Sequence, residues 1–510
     1  MTRLEQFEQN PWGSLHGTYK RSFLYITPAP ESVTGEILLA SLHRNVGFSK
    51  TANEEVWKLG TPFRKQLEAG KRPNKKNSPI GIDSNLWKNI INRAIAAPKL
   101  AGQSKQRVQQ TSPIVPDSSL YSMSARLTGH PWNPGKLVAR MIALGTGDQE
   151  RAFSIWEKLF EKLSIDDLED DIWARLLQTE FESWRIDELK DAWHCPLEFP
   201  IRDEEFSMAS NINYPAKHFV RDLEEVLTLK KNLTRRQWIT TLESLCRIGT
   251  SAHIMWLCKA NEWCSKAVES ALSEGKSYTC NEVESHLSTG SGFWSLGQLS
   301  GKTIKDTVRR YITSRCSLNL FFHMLEEDKV FDMEQVCFDS PDKITATLTY
   351  LSQNREKFNF NDYLSKLAAA MEVDSRIADC KKGTSKNVLE FLEHVTRQRI
   401  TSEVGLESYD QGYYLRKKGA YSSAPWVVGL GPLSVLLMVH CADSKEIGPC
   451  TVQKLAQQLS NYGIDANLQL SKGGSLNKLL REMSIAVDSP DAEGGMVISS
   501  PLATLSGDEE

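Results

Sequence analysis

Several absences narrow what this chain can be. The ten cysteines stand singly, at 195, 246, 258, 264, 280, 316, 337, 380, 441 and 450, with no C-x-x-C pair. That excludes a zinc ribbon and a thioredoxin-like site, and the expectation is a reduced, cytoplasmic protein with structural thiols. The ten histidines include no H-x-H pair and no H-x-E deaminase signature. G-x-S-x-G and G-x-G-x-x-G are also missing, so neither a nucleophile elbow nor a dinucleotide fold is encoded. The opening "MTRLEQFEQNPWG" has no apolar core of the kind a secretory signal needs. Charge of one sign is not in excess: 61 Lys and Arg face 64 Asp and Glu, for a net charge of −3. No chain-wide field gathers nucleic acid, and any such binding must come from a local patch. Strand-like alternation is nearly absent between Pro134 and Ile400. No repeat of 34 or 40 residues emerges there, so a helical solenoid is not supported.

Long apolar runs are scarce too, with one exception. "APWVVGLGPLSVLLMVHCA", from Ala424 to Ala442, carries no charge and follows the basic trio Arg416-Lys417-Lys418, as a membrane span would. Pro425, Gly429, Gly431 and Pro432 break it before its helical part. What remains, Leu433 to Cys441, is too short to cross a bilayer, so it reads as a buried helix.

What is present is helix. "TGEILLASLHRNV" and "TANEEVWKLGTPFRKQL" read as short amphipathic helices within residues 1–96, which could hold a second module like the one at the C-terminus. "EAGKRPNKKNSP" is a basic polar loop. Residues 97–125, rich in Gln, Ser and Pro, read as a surface linker. Residues 126–415 form an irregular all-α domain. There "RAFSIWEKLFEKL" puts Phe153, Trp156, Leu159, Phe160 and Leu163 on one stripe, and "DDIWARLLQTEFESW" repeats the pattern. The acidic "DDLEDD" ahead of the latter reads as the negative first turn of a helix. "RRQWITTLESLCRI" and "SAHIMWLCKANEWCSKAVESAL" read as two further helices. An acidic tail, 502–510, closes the chain.

Candidate chemistry is thin. Gly301-Lys302-Thr303 ends like a phosphate-binding loop, but the first glycine of G-x-x-x-x-G-K-[ST] is replaced by Leu296, so a surface turn at a helix start is the better reading. Glu390, Glu393 and His394 lie within one turn but at the wrong spacing for a metal helix. His253 and Cys264 share a helix face while Cys258 points away, which marks core positions. His194 beside Cys195 is adjacent in sequence, which usually turns nucleophile and base apart. No catalytic residue, cofactor or metal site is expected.

The C-terminal stretch is more specific. "GPLSVLLMVHCADS" is a nearly all-apolar helix. Thr451 can cap "VQKLAQQLSNYGI", and Gly463 suits the left-handed position that ends it. Ser475 can cap "LNKLLREM". Ile485-Ala486-Val487 and Met496-Val497-Ile498 then flank "DSPDAEGG". This loop is not a calcium loop: counted from Asp488 its acids fall at positions 1, 4 and 6, and counted from Ser489 the twelfth residue is Ser500 rather than Glu. Asp, Pro and Gly instead suit the turn of a hairpin.

Three short helices followed by a hairpin resemble a winged helix-turn-helix domain, over about residues 425–501. The resemblance implies that "SLNKLLREM" is the recognition helix and Asp488 to Gly495 the wing tip. It also implies that Lys472, Ser475, Asn477, Lys478 and Arg481 contact DNA or a partner protein. Asp488, Asp491 and Glu493 would repel phosphate, so the helix rather than the wing would bind DNA. The fold expected is therefore mainly α, an irregular multi-helical body with a C-terminal winged helix. The function expected is a non-enzymatic adaptor in a cytoplasmic, nucleic-acid-associated complex. Its helical make resembles accessory subunits of prokaryotic antiviral defence systems. Other protein subunits are the expected partners, with double-stranded DNA as a further one. A sequence-specific transcription regulator and a nuclease whose site assembles only in the fold are the alternatives.

Overall fold

A capping box starts the longest element. The Thr234 hydroxyl accepts from the Gln237 amide and the Gln237 side chain returns to Thr234, opening helix Arg235–Glu274, which Gly275 closes in the left-handed conformation. The two helices expected from sequence here are one: "RIGTSAH" holds no proline, and its Thr250 hydroxyl donates back to the Cys246 carbonyl at 2.7 Å inside the helix instead of capping a new one. In the computed structural model, residues 1–26, 33–48, 72–95, 112–121, 133–185, 192–201, 212–289, 292–399, 410–419, 421, 423–443, 450–487 and 496–502 are described. They are mainly helical, with a few strands of two or three residues.

Helix Arg235–Glu274 is the axis. Helices Gly35–Gly47, Pro215–Thr228, Ser300–Asp328, Pro341–Gln353, Gly383–Thr396 and Pro432–Asp443 pack around it, so it is buried on every face from Thr241 to Cys258. Gly249 permits one of these approaches, since a Cβ there would stand 2.4 Å from the Phe219 ring. The apolar core runs continuously from Phe7 to Ile498. A smaller core gathers Trp87, Ile91, Ile114, Leu120, Leu177 and Trp184.

Several expectations are corrected. Gly35–Gly47 is not amphipathic but buried nearly all round, including Glu36, His43 and Arg44; its charges are paired inside rather than solvated. Residues 112–121, taken as surface linker, are buried. Ile114, Val115, Leu120 and Tyr121 enter the smaller core, and Asp117 is fully enclosed against Arg185. The acidic run before Ile172–Glu182 is more than a helix-dipole device. Asp171 caps the helix, while buried Asp170 pairs with Lys230 at 3.0 Å and Arg235 at 3.4 Å. The predicted stripe is also turned, leaving Ile172 and Trp173 exposed. The second predicted N-terminal helix, the loop 122–132 and the wing tip lie outside the described residues, and no strand occurs among the described residues of 1–96.

The uncharged run from Ala424 splits into strand Trp426–Val428 and helix Pro432–Asp443, and among the described residues no helix is long and apolar enough to cross a membrane. Strand Leu415–Lys417 pairs antiparallel with Trp426–Val428, with Arg416 opposite Val427. After helix Pro432–Asp443 come strand Cys450–Thr451, helix Val452–Asn461, strand Ile464–Asp465, the short helix Asn467–Leu470, helix Ser475–Glu482, and strands Ala486–Val487 and Val497–Ile498. Val497–Ile498 lies between Cys450–Thr451 and Ala486–Val487 in a three-stranded antiparallel sheet. Thr451 caps its helix as expected, and Gly463 has φ 73°. Strand Cys450–Thr451 was not foreseen, being only two residues long.

Candidate nucleic-acid interface

The residues nominated by sequence fall on one short helix and the turn ahead of it, and they divide by burial. Helix Ser475–Glu482 buries Leu476, Asn477 and Leu480. Asn477 is therefore turned inward: its Nδ2 donates to the Leu470 carbonyl at 3.0 Å and its Oδ1 accepts from Arg481 Nε at 3.0 Å. It shapes the helix rather than the outer face, a role that the polarity of Asn hides in the sequence. Ser475 is not the cap, which is Gly474. Its amide and hydroxyl both donate to Gln469 Oε1, at 3.2 and 2.9 Å, while the residue stays exposed. Lys472, Lys478 and Arg481 are exposed. Among the described residues no carboxylate lies within ion-pair distance of Lys472 or Lys478.

This helix is held against the body. Asp222, fully buried on helix Pro215–Thr228, accepts from Tyr462 Oη at 2.7 Å and from Gln458 Nε2. Strand Ile464–Asp465 pairs in parallel with Trp294–Ser295, and the Phe293 amide donates to the Gly463 carbonyl at 2.6 Å. Facing helix Ser475–Glu482 across a groove of about 260 Å³ is the 415–428 hairpin. Leu476 and Leu479 form one wall and Val428, Leu430 and Pro432 the other. Arg416, Tyr413, Ser475 and Glu482 are its charged and hydroxyl-bearing residues. The sequence offered the hairpin only as the basic trio 416–418, which a membrane flank explained equally well. A strand of three residues leaves no period to detect.

Other clusters are structural. Glu36, Glu243 and Asp410 meet Arg247 and Arg399, all buried, where the central helix touches Gly35–Gly47 and the chain after Gly383–Thr396. Arg399 pairs with Glu36, with Glu243 at 2.7 Å and with Asp410 at 3.2 Å; Arg247 reaches Asp410 at 2.9 Å. Burial pushes the Glu243 carboxyl up to about 7. Burial works the same way on Asp410, but the two guanidiniums outweigh it and hold that carboxyl below the usual range.

His16, His323 and Glu326 place their ligand atoms within 4.8 Å of one another, as a metal trio would. The hydrogen bonds oppose that use. His16 Nδ1 accepts from the Thr18 amide at 3.1 Å, which puts the ring proton on Nε2, where it donates to Glu326 at 3.0 Å. A ligating imidazole needs the reverse, with the far nitrogen donating. Arg3 also holds Glu326, at 2.8 Å. The trio pins the N-terminal segment to helix Ser300–Asp328. Gly301, Lys302 and Thr303 form the first turn of that helix. The strand ahead of them is only two residues long, so no phosphate-binding loop forms. His253 and Cys264 are core residues. Cys195 is exposed, and His194 Nδ1 meets the Ala192 carbonyl at 2.7 Å.

A second cavity, of about 330 Å³, is apolar and bordered by Trp87, Ile91, Ala94, Ile114, Trp173 and Leu177. Compared with known proteins, the chain matches no family model, no curated protein and no solved structure.

Proposed function

We propose that this protein is a non-enzymatic adaptor of a nucleic-acid-associated assembly, and that residues 425–501 act as a winged-helix module docking on double-stranded DNA. One observation carries the reading: helix Ser475–Glu482 leaves Lys478 and Arg481 exposed, and the turn ahead of it leaves Lys472 exposed, beside a three-stranded antiparallel sheet. Helix, strand, helix, helix, strand, strand is the order such a module needs, and residues 432–498 follow it with strand Ile464–Asp465 and the short helix Asn467–Leu470 inserted between the second and third helices. Exposed lysines without a carboxylate partner are what phosphate neutralisation uses, since each ion pair with DNA releases a counterion. The locking of the module through Asp222 favours an adaptor that presents one fixed face, rather than a domain that swings to its site.

The test is retention on duplex DNA. Wild type binds and releases with added salt, and Lys478→Glu with Arg481→Glu abolishes binding while leaving the circular dichroism unchanged. Equal binding by wild type and the double variant refutes the docking helix. Absence of DNA binding, with capture of a protein partner lost in the same variant, assigns the face to protein docking instead.

A further inference from the structure

Winged modules commonly hold the DNA backbone with cations on the wing, yet here the loop between the last two strands carries Asp488, Asp491 and Glu493. A second element beside the docking helix carries the cations. Arg416 and Lys418 are both exposed on the 415–428 hairpin, and among the described residues no carboxylate lies within ion-pair distance of either. Arg416 lies in the strand and Lys418 one residue past its end, roughly 7 Å apart at the spacing of alternate residues in extended chain. The ladder continues past the strand, with the Lys418 amide donating to the Pro425 carbonyl at 2.9 Å.

Arg416 does not wave freely. It borders the groove that Ser475, Leu479 and Glu482 line from the other side, and its side chain lies across Gly429, where a Cβ would stand 2.9 Å from Nε. On the other helix Lys478 is about 60° around from Ser475, just outside the arc of groove-lining residues, whereas Arg481 diverges by about 120°.

The hairpin is also rigid. The Val428 amide donates to the Gln298 carbonyl at 2.9 Å, the Gly297 amide donates to Val428 at 2.8 Å, and the Gln398 amide donates to Leu415 at 2.7 Å. Trp426, whose ring carries Lys417 at 5.8 Å and Arg397 at 4.9 Å, braces the tip side. A backbone anchored in this way loses little freedom on binding.

We infer that the 415–428 hairpin takes the place of the wing: Arg416 and Lys418 grip the backbone phosphates of duplex DNA across the groove from Lys478, and Glu482, the carboxylate lining that groove, limits the affinity. This rests on the docking reading above.

The experiment measures the affinity of the full chain for a 20-base-pair duplex as a function of salt, for wild type, Arg416→Gln with Lys418→Gln, and Glu482→Gln. The hairpin variant should lower the slope of log K against log salt by about 2, and Glu482→Gln should tighten binding. A slope and affinity equal to wild type in the hairpin variant, while Lys478→Glu with Arg481→Glu still abolishes binding, overturns the inference and leaves the docking helix standing. Loss in neither variant, or no DNA binding by wild type, overturns the docking reading itself. Exposed positions are substituted, so folding is preserved, and a thermal midpoint equal to wild type verifies this.

Discussion

Replacing Glu243 by Gln should stabilise the protein, and increasingly so as pH rises. Three carboxylates, those of Glu36, Glu243 and Asp410, share a buried site with two guanidiniums, so full ionisation leaves one uncompensated negative charge away from water. Burial places that burden on Glu243, raising it from 4.5 to about 7. A carboxyl raised on folding binds its proton more tightly in the native state. Its contribution is complete below the unfolded value and is lost as pH climbs through about 7. A rise of that size corresponds to about 3 kcal/mol, of which about 2 kcal/mol is lost between pH 5.5 and pH 8. Buried histidines run the other way: burial lowers His43 and His253 to about 3 and His323 to about 4, so they destabilise the fold when protons must be taken up as pH falls. The wild-type profile is the sum of these opposing trends, and only its difference from Glu243→Gln isolates the carboxyl. Glutamine keeps an oxygen at the 2.7 Å contact with Arg399. Hydrogen exchange followed by mass spectrometry, corrected for the intrinsic rate, reads the opening of helices Gly35–Gly47 and Arg235–Glu274. The protection gained by the variant should grow roughly 30-fold from pH 5.5 to pH 8. A variant whose advantage is the same at both pH values, or which is less protected at pH 8, refutes a protonated Glu243.

Two further outcomes follow from buried polar groups. Asp222→Ala removes the acceptor of Gln458 and Tyr462 and should cost about 2–3 kcal/mol; exchange should rise in helix Val452–Asn461 and stay unchanged at the centre of Arg235–Glu274. His253 is fully buried, stacks on Trp256 and has neither ring nitrogen bonded, so His253→Leu should raise the thermal midpoint by relieving a cost of about 1–2 kcal/mol; a lower midpoint would reveal a bond to that ring.

Much of the helical frame was legible. The Phe153–Leu163 stripe, the Thr451 cap, Gly463 and the two apolar runs around residues 488–495 all became elements where periodicity or capping chemistry placed them. The reading failed where charge was assumed to mean solvent. Glu36, Asp117, Asp170, Arg235 and Arg247 are buried because each finds a partner far away in sequence, and a single sequence does not reveal partners. Asn477 illustrates the same limit inside the candidate site: nothing in "SLNKLLREM" tells a groove-facing amide from one that bonds Leu470. Arg416 and Lys418 were visible as a basic trio, but their meaning depends on a hairpin too short to leave a pattern and on its position opposite helix Ser475–Glu482.

The central claim, a DNA-docking face built from the helix Ser475–Glu482 and the 415–428 hairpin, is tested most directly by the salt dependence of duplex binding by the unmodified protein. Five phosphate contacts, from Lys472, Lys478, Arg481, Arg416 and Lys418, predict a slope of log K against log salt of about −4 to −5. No measurable binding at low salt, or binding that is indifferent to salt, would contradict the account.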